Sequence, residues 1–374
     1  MNILVDATEI SMERLYSSIP MYIMRILSQI ALEERNNYTL LINKNCNSFF
    51  KNHYPGFKLI TFDFKGWNKY WHSNLKYRYT IYKFNKLIKQ LKIDVIFIPT
   101  DYPYYLQEKL NCKKVVVIHD LKGIKRNCNT LKEAYEAYSL NKMYERHLKS
   151  ADKIIAISKY TKQDILSYYT QINETKIHVI YNSVDIATKT EKPNYSFDNP
   201  YILYVNTLHQ YKNVSTLIKS FAKLSNNIVH NLIVVGKTTP YWDNEIKPLI
   251  KNLKIENRII QLQGLSDEEL RYMYENAALF VTPSLHEGFG LTPIEAAICK
   301  CPVICSIQEA LPDSTRGLLN YYQPAMDDEE LTKIMRNLLN TPPCESELNK
   351  ISEYYRDIYS PIKQFESIKN LLIE

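Results

Sequence analysis

Short apolar runs alternate along this chain with longer amphipathic stretches. The first half holds strand-like segments at Ile3–Asp6, Tyr38–Ile42, Lys58–Thr61, Asp94–Ile98, Lys114–Ile118, Lys153–Ile157 and His178–Tyr181. Helical spacing lies between several of them, at Tyr16–Leu32, Asn74–Leu91, Leu131–Leu148 and Lys159–Tyr169. A second series follows at Tyr201–Val205, Asn231–Val235, Arg258–Gln261, Leu279–Thr282 and Pro302–Cys305. This β-α alternation predicts an α/β protein with two parallel sheets, one in each half, each covered by helices on both faces. Ile186–Pro200 is polar, lacks periodicity and contains Pro193 and Pro200, so it reads as the linker. The expected division is 1–186, 187–350, and a helix in 351–374 packing back on the first domain.

Composition narrows the class. With 374 residues, two domains fit better than one. No stretch reaches the roughly 18 apolar residues of a membrane span, and the acidic residues in MNILVDATEI argue against a signal peptide. Cys299, Cys301 and Cys305 cluster on an apolar stretch without neighbouring histidines and read as reduced core thiols, which points to the cytoplasm. The net charge of +7 is unevenly spread. Residues 1–185 carry 28 Lys/Arg against 17 Asp/Glu, a surplus of 11, whereas residues 186–374 carry 19 against 23. The halves therefore face different partners.

Only 8 glycines occur in the chain, about 2% where ~7% is usual, so each is informative. Two of them, Gly288 and Gly290, fall in Pro283–Glu295, PSLHEGFGLTPIE. This segment follows an apolar run and opens a helical one in which Pro293 sits in the first turn. Glycines there let the backbone approach a ligand, and amides at a helix start suit a diphosphate. Glu287 and Glu295 bracket the loop, which lies just past the carboxyl end of a strand, where open α/β sheets bind ligands. On the residues alone, a tight turn with incidental acids is the competing reading.

The whole string resembles the Glu-x7-Glu signature of retaining glycosyltransferase family 4, whose GT-B fold has two Rossmann-like doubly wound domains facing a cleft. The resemblance extends to YILYVNTLHQYKN (Tyr201–Asn213), Leu232–Gly236, Gln263–Leu270, Cys301–Ser306 with Leu311–Pro312, VIHDL (Val117–Leu121), ISKYTKQDI (Ile157–Ile165) and VIYNSVD (Val179–Asp185). It implies these roles. Glu287 would interact with the donor sugar. Lys212 would neutralise the leaving diphosphate. His119 would sit near sugar and acceptor. Phe289, Gly290, Leu291 and Thr292 would line the donor site with backbone amides, Glu295 would hold the ribose, Leu265 would pack near the base, and Gly236 and His209 would border the phosphates. For His119 the plainer alternative is a histidine satisfied at a strand end by Asp120. His286 reads as a solvent-exposed loop residue without a chemical role.

Several positions depart from the family pattern. The first βα loop, Tyr16–Met21, has Ser17 and Ser18 instead of glycines. Asn206 stands where glycine is common, Tyr211 precedes Lys212 where an Arg-Lys pair is frequent, Thr292 replaces a proline and Lys300 a glycine. No metal is expected: Asp327–Asp328 begins DDEEL and reads as an acidic first helical turn.

Phe57–Lys92 contains nine Lys/Arg and one acid, interleaved with Trp67, Tyr70, Trp71, Tyr77, Tyr79, Tyr82 and Phe84. It reads either as a surface helix with its aromatics in the core or as a membrane-surface patch at the inner face of the membrane. The expected activity is transfer of a sugar from a UDP- or GDP-sugar, with GDP-mannose suggested by a likeness to bacterial mannosyltransferases, to a glycan or lipid-linked acceptor. No other cofactor is implied. The rivals are a non-catalytic nucleotide-sugar-binding protein, an oxidoreductase, disfavoured by the missing GxGxxG turn after the first strand, and a nucleic-acid binder, disfavoured by the absence of a recognised binding motif.

Overall fold

The computed structural model describes residues 1–15, 17–62, 75–101, 108–125, 130–195 and 197–374, with the backbone alone at 75–77. Trp67, Tyr70, Trp71 and the side chain of Tyr77 in the basic aromatic stretch, and Tyr16 in the first βα loop, lie outside the described residues. The chain forms two compact units, Met1–Asn182 with Pro361–Glu374, and Ser183–Ser360.

The first unit holds a seven-stranded parallel sheet of β1 (Ile3–Asp6), β2 (Tyr38–Leu41), β3 (Lys58–Ile60), β4 (Val95–Ile98), β5 (Lys113–Ile118), β6 (Lys153–Ala156) and β7 (Ile177–Val179), in the order β3-β2-β1-β4-β5-β6-β7. The second holds six parallel strands, β8 (Tyr201–Val205), β9 (Asn231–Val235), β10 (Ile259–Leu262), β11 (Leu279–Thr282), β12 (Val303–Ser306) and β13 (Asn320–Tyr322), in the order β10-β9-β8-β11-β12-β13. The strand order reverses between β1 and β4 and between β8 and β11, which creates a crevice at the carboxyl edge of each sheet.

Burial on both faces explains the apolar runs. In the second sheet Ile202, Tyr204, Leu232, Val234, Leu279, Val281 and Ile304 join one core with the helices Val214–Leu224 and Asp328–Asn340. The alternate residues Leu203, Ile233, Phe280 and Cys305 are equally buried and point to the opposite face. Cys299, Cys301 and Cys305 are free, buried thiols whose ionisation burial opposes. Helix starts follow local chemistry. Ser266 and Glu269 form a capping box ahead of Asp267–Asn276, and Asp327 caps Asp328–Asn340 by accepting from the amides of Glu329 and Glu330.

The described residues of the segment Ile186–Pro200 have no regular structure, and the segment belongs to the second unit. Arg271 donates to the carbonyls of Ala187 and Thr188 at 2.6 and 3.0 Å, and Thr190 donates to Glu275 at 2.9 Å. The returning segment begins at Pro361, not at 351. The helix Glu345–Ile358 is held to the second unit, where Ser352 donates to Ile298 O at 2.6 Å and Tyr355 to Thr315 O at 2.5 Å. The helix Pro361–Ile373 buries Phe365, Ile368, Leu371 and Leu372 in the first unit. Its last carbonyls, which no helical amide can reach, accept from Lys113 Nζ: Leu371 O at 3.1 Å and Leu372 O at 3.2 Å. Lys369 pairs with Glu34 at 2.7 Å.

Two surface helices of the first unit bear on the sequence reading. In Leu75–Gln90, Ile81, Phe84 and Ile88 are core, whereas Tyr79 and Tyr82 are exposed and stack at 6.4 Å with Lys83 over the Tyr79 ring. The basic aromatic stretch is therefore divided: Phe84 belongs to the interior, the two tyrosines to the surface. In Leu131–Ser150 the apolar stripe of the first turns is exposed. Leu131, Ala134, Tyr135 and Tyr138, spaced i, i+3, i+4, i+7, all face outward, and no residue before Met143 is buried. Among the described residues no helix is long and apolar enough to cross a membrane.

Candidate active site

Among the loops that leave the carboxyl edge of the second sheet, those after β8, β9, β11 and β12 build most of the site. The loop after β8 turns through a short 3-10 segment, Gln210–Lys212, into Asn213, whose backbone is left-handed with φ of 56°. The Asn213 amide stabilises this conformation by donating to Pro283 O at 3.0 Å and Ala325 O at 2.8 Å, while Thr216 donates to its oxygen at 2.8 Å. The turn thereby fixes Lys212, which is buried.

The loop after β11 carries the signature. Lys212 Nζ lies 2.6 Å from Glu287 Oε1, and the two side chains are only 10% and 11% exposed. Asn206 Nδ2 donates to the same oxygen at 3.3 Å. Leu285 N–H donates to Tyr211 O at 2.9 Å, tying the two loops together. His209 is exposed and stacks on Tyr211, ring centroids 5.7 Å apart.

Gly290 caps the helix Leu291–Ile298 with φ of 85°. A Cβ there would meet Leu311 Cδ2 at 2.5 Å, so both torsion and space call for glycine. Leu291 and Thr292 occupy the first turn, where amides have no partner within the helix; Pro293 has none to offer. Phe289 is buried against Tyr359, ring centroids 5.4 Å apart, so its side chain is structural. One turn into the helix, Glu295 Oε2 accepts from the buried Tyr274 hydroxyl at 3.0 Å. Burial, with the Glu295 charge beside it, holds the Tyr274 phenol well above its ordinary pKa, so it stays a donor.

Gly236 follows β9 directly. A Cβ there would lie 2.1 Å from Asn206 O, so glycine permits the loops after β8 and β9 to touch. Leu265 is half-buried after Gly264, whose φ is 75°.

The first unit carries His119 at the end of β5. Its backbone amide donates to Asp101 Oδ1 and its ring Nε2 lies 3.1 Å from Pro99 O. Asp120, expected as the ring's partner, instead accepts from Lys122 N at 3.0 Å in a local turn. A carbonyl only accepts, so the neutral ring carries its proton on Nε2 and leaves Nδ1 as the acceptor. Surrounding protein lowers the His119 pKa, against the Pro99 carbonyl and the Asp120 charge, and favours that neutral form. Tyr22 packs edge-on against the ring at 4.9 Å. Ser17 Oγ donates to Arg14 O at 2.8 Å and does not cap the helix Ser18–Ser28.

Sequence reasoning missed three residues. Asn206 adds a donor to Glu287, Tyr274 orients Glu295, and Glu309 reaches the signature loop from the loop after β12. His286 is exposed on its loop, as the sequence suggests, and its Nδ1 lies 2.9 Å from Glu309 Oε1.

Comparison with known proteins fits this arrangement. The model described as glycosyl transferases group 1 matches residues 185–357, and that described as Glycosyltransferase Family 4 matches residues 49–188. The chain belongs to glycosyltransferase family 4. Among curated relatives of this family 4 member, the O-antigen chain mannosyltransferase RfbU of Salmonella typhimurium is 28% identical over 249 residues, and the match spans 65% of each chain. The fold also matches solved structures. A glycosyltransferase from Rickettsia africae superposes with a TM-score of 0.74 at 20% identity, covering 100% of this chain and 97% of that one. HepE of Anabaena, solved with UDP and glucose, gives 0.72 at 16% identity over the whole of both chains. These likenesses establish the GT-B fold.

Proposed function

We propose that this protein transfers a sugar, with retention of anomeric configuration, from a nucleotide-sugar to a hydroxyl of a glycan or lipid-linked acceptor in surface polysaccharide synthesis. The observation that carries this reading is the buried Lys212–Glu287 contact beside the start of the helix Leu291–Ile298. A lysine and helix-start amides together suit a diphosphate, and a carboxylate held next to them suits the hydroxyls of the attached sugar. Lys212 neutralises the departing diphosphate, so transfer proceeds in the presence of EDTA. Glu295, oriented by Tyr274, holds the ribose. His119, neutral and with Nδ1 as acceptor, serves the sugar and acceptor.

The likeness to RfbU favours GDP-mannose as donor; HepE, whose structure holds UDP, keeps UDP-sugars as the other donor class to test. A thermal-shift screen with UDP, GDP and their sugars tests the reading. One nucleotide family should raise the melting temperature, and Glu295→Ala should remove that shift. Stabilisation by none of them overturns it.

The acceptor is met at the inner face of a membrane. Support comes from the first half's surplus of 11 positive charges and from the outward stripe Leu131, Ala134, Tyr135 and Tyr138. Cations attract anionic headgroups, and exposed aromatic and apolar side chains favour the interface.

A further inference from the structure

Glu309 sits in the loop after β12 with φ of 48°, a left-handed backbone that disfavours a side chain and that glycine would adopt freely. Its carboxylate is 16% exposed, and both oxygens engage the signature loop. Oε2 accepts from the Glu287 amide at 2.9 Å, and Oε1 lies 2.9 Å from His286 Nδ1. The next residue, Ala310, donates its amide to Glu287 O at 3.4 Å. Two consecutive residues of one loop thus grip the main chain of Glu287 on both its polar groups. Lys212 and Asn206, from another loop, hold its carboxylate.

A residue kept in a disfavoured torsion at a site is retained because the surroundings over-determine it. Here the determinant is the charged side chain: glycine would relieve the torsion but lose the clamp. We infer that Glu309 is a positioning residue for the transfer reaction. It sets the backbone of Glu287 so that the carboxylate meets Lys212 and the donor sugar. The inference rests on the reading of Glu287 as the group facing that sugar. It does not place Glu309 on the substrate.

Glu309→Gly and Glu309→Gln separate the clamp from the torsion. Glu309→Gly should melt at or above the wild-type temperature and keep the nucleotide-induced shift. Its kcat should fall roughly tenfold to a hundredfold, as displacement of about 1 Å at a reacting centre does, with little change in donor KM. Glu309→Gln keeps an acceptor oxygen for the Glu287 amide and should recover most of the loss. Wild-type kcat in Glu309→Gly, or a joint collapse of melting temperature, KM and kcat, overturns the inference. A crystal structure of Glu309→Gly tests the clamp independently of turnover: the Glu287 carboxylate should leave Lys212, and an unmoved contact refutes the clamp. Wild-type protein that turns over no UDP- or GDP-sugar refutes the transferase reading instead, while the structural comparison still decides the clamp.

Discussion

Lys212 and Glu287 are 75 positions apart, yet their charges meet at 2.6 Å under protein cover. Removing one partner of such a pair leaves the other charge buried without its counter-ion, which costs up to about 3–5 kcal/mol. Lys212→Met should therefore destabilise the second unit more than the double variant Lys212→Met/Glu287→Gln does, as read by urea unfolding. In turnover both variants should lose about a hundredfold to a thousandfold in kcat, the scale of a lost electrostatic stabiliser. A double variant no more stable than the single one would mean that the pair is not coupled in this way.

Lys300 ends the helix Leu291–Ile298 in a left-handed conformation, φ 63°, with its amide on Ala297 O and the Cys301 amide on Ala296 O. This is the position where helices commonly take glycine. Because the exposed lysine gains nothing visible from the torsion, Lys300→Gly should stabilise by about 0.5–1 kcal/mol, which is the left-handed penalty less glycine's extra unfolded entropy. The measurement is the melting temperature; a decrease would show that the lysine is retained for a contact that outweighs the torsion.

Asp101 is buried, and desolvation, with Asp120 and Glu9 adding to it, raises its pKa well above 3.8 despite the amides of His119 and Asp120. A carboxyl whose folded pKa is raised contributes stability that is complete below the unfolded value and is lost as pH rises towards the folded one. Asp101→Asn keeps an oxygen for the His119 amide and removes the ionisation. Its stabilisation should be larger at pH 8 than at pH 5, measured by thermal unfolding across that range. A gain that is equal at both pH values would mean that Asp101 is not strained by its charge.

Membrane contact makes a separate prediction for the helix Leu131–Ser150. Wild-type protein should sediment with phosphatidylglycerol-containing vesicles and be released by salt. Leu131→Ser/Tyr138→Ser should weaken that binding by about tenfold, since two apolar side chains leave the interface, without changing the melting temperature. Unaltered vesicle binding would remove this face from the proposal.

Much of this architecture is legible in the sequence because parallel strands buried on both faces leave short continuous apolar runs. Tyr201–Val205, Asn231–Val235 and Leu279–Thr282 are bounded in the sequence as in the structure. β13 is not legible: three residues long, at a sheet edge and beginning with Asn320, it carries no apolar run. The signature loop is legible because glycine is scarce and its glycines stand out. What the sequence hides is contact between loops. Asn206 looks like a mere loss of glycine until its amide meets Glu287. Glu309 has no motif of its own, and its meaning comes from a torsion and two hydrogen bonds to residues more than twenty positions earlier. The His119 ring likewise meets Pro99 O instead of the Asp120 that the sequence offers, because strand order, not chain order, brings the ends of β4 and β5 together.

The helix Pro361–Ile373 belongs to the unit whose other residues are translated first. On the ribosome, residues 1–182 emerge without it, so Lys113 and Glu34 await their partners while residues 183–360 are still being made. The usual order, in which the N-terminal domain finishes folding first, is therefore inverted for this chain: the second unit can close as soon as Ser360 is released, and the first is completed only when the segment from Pro361 to Glu374 arrives.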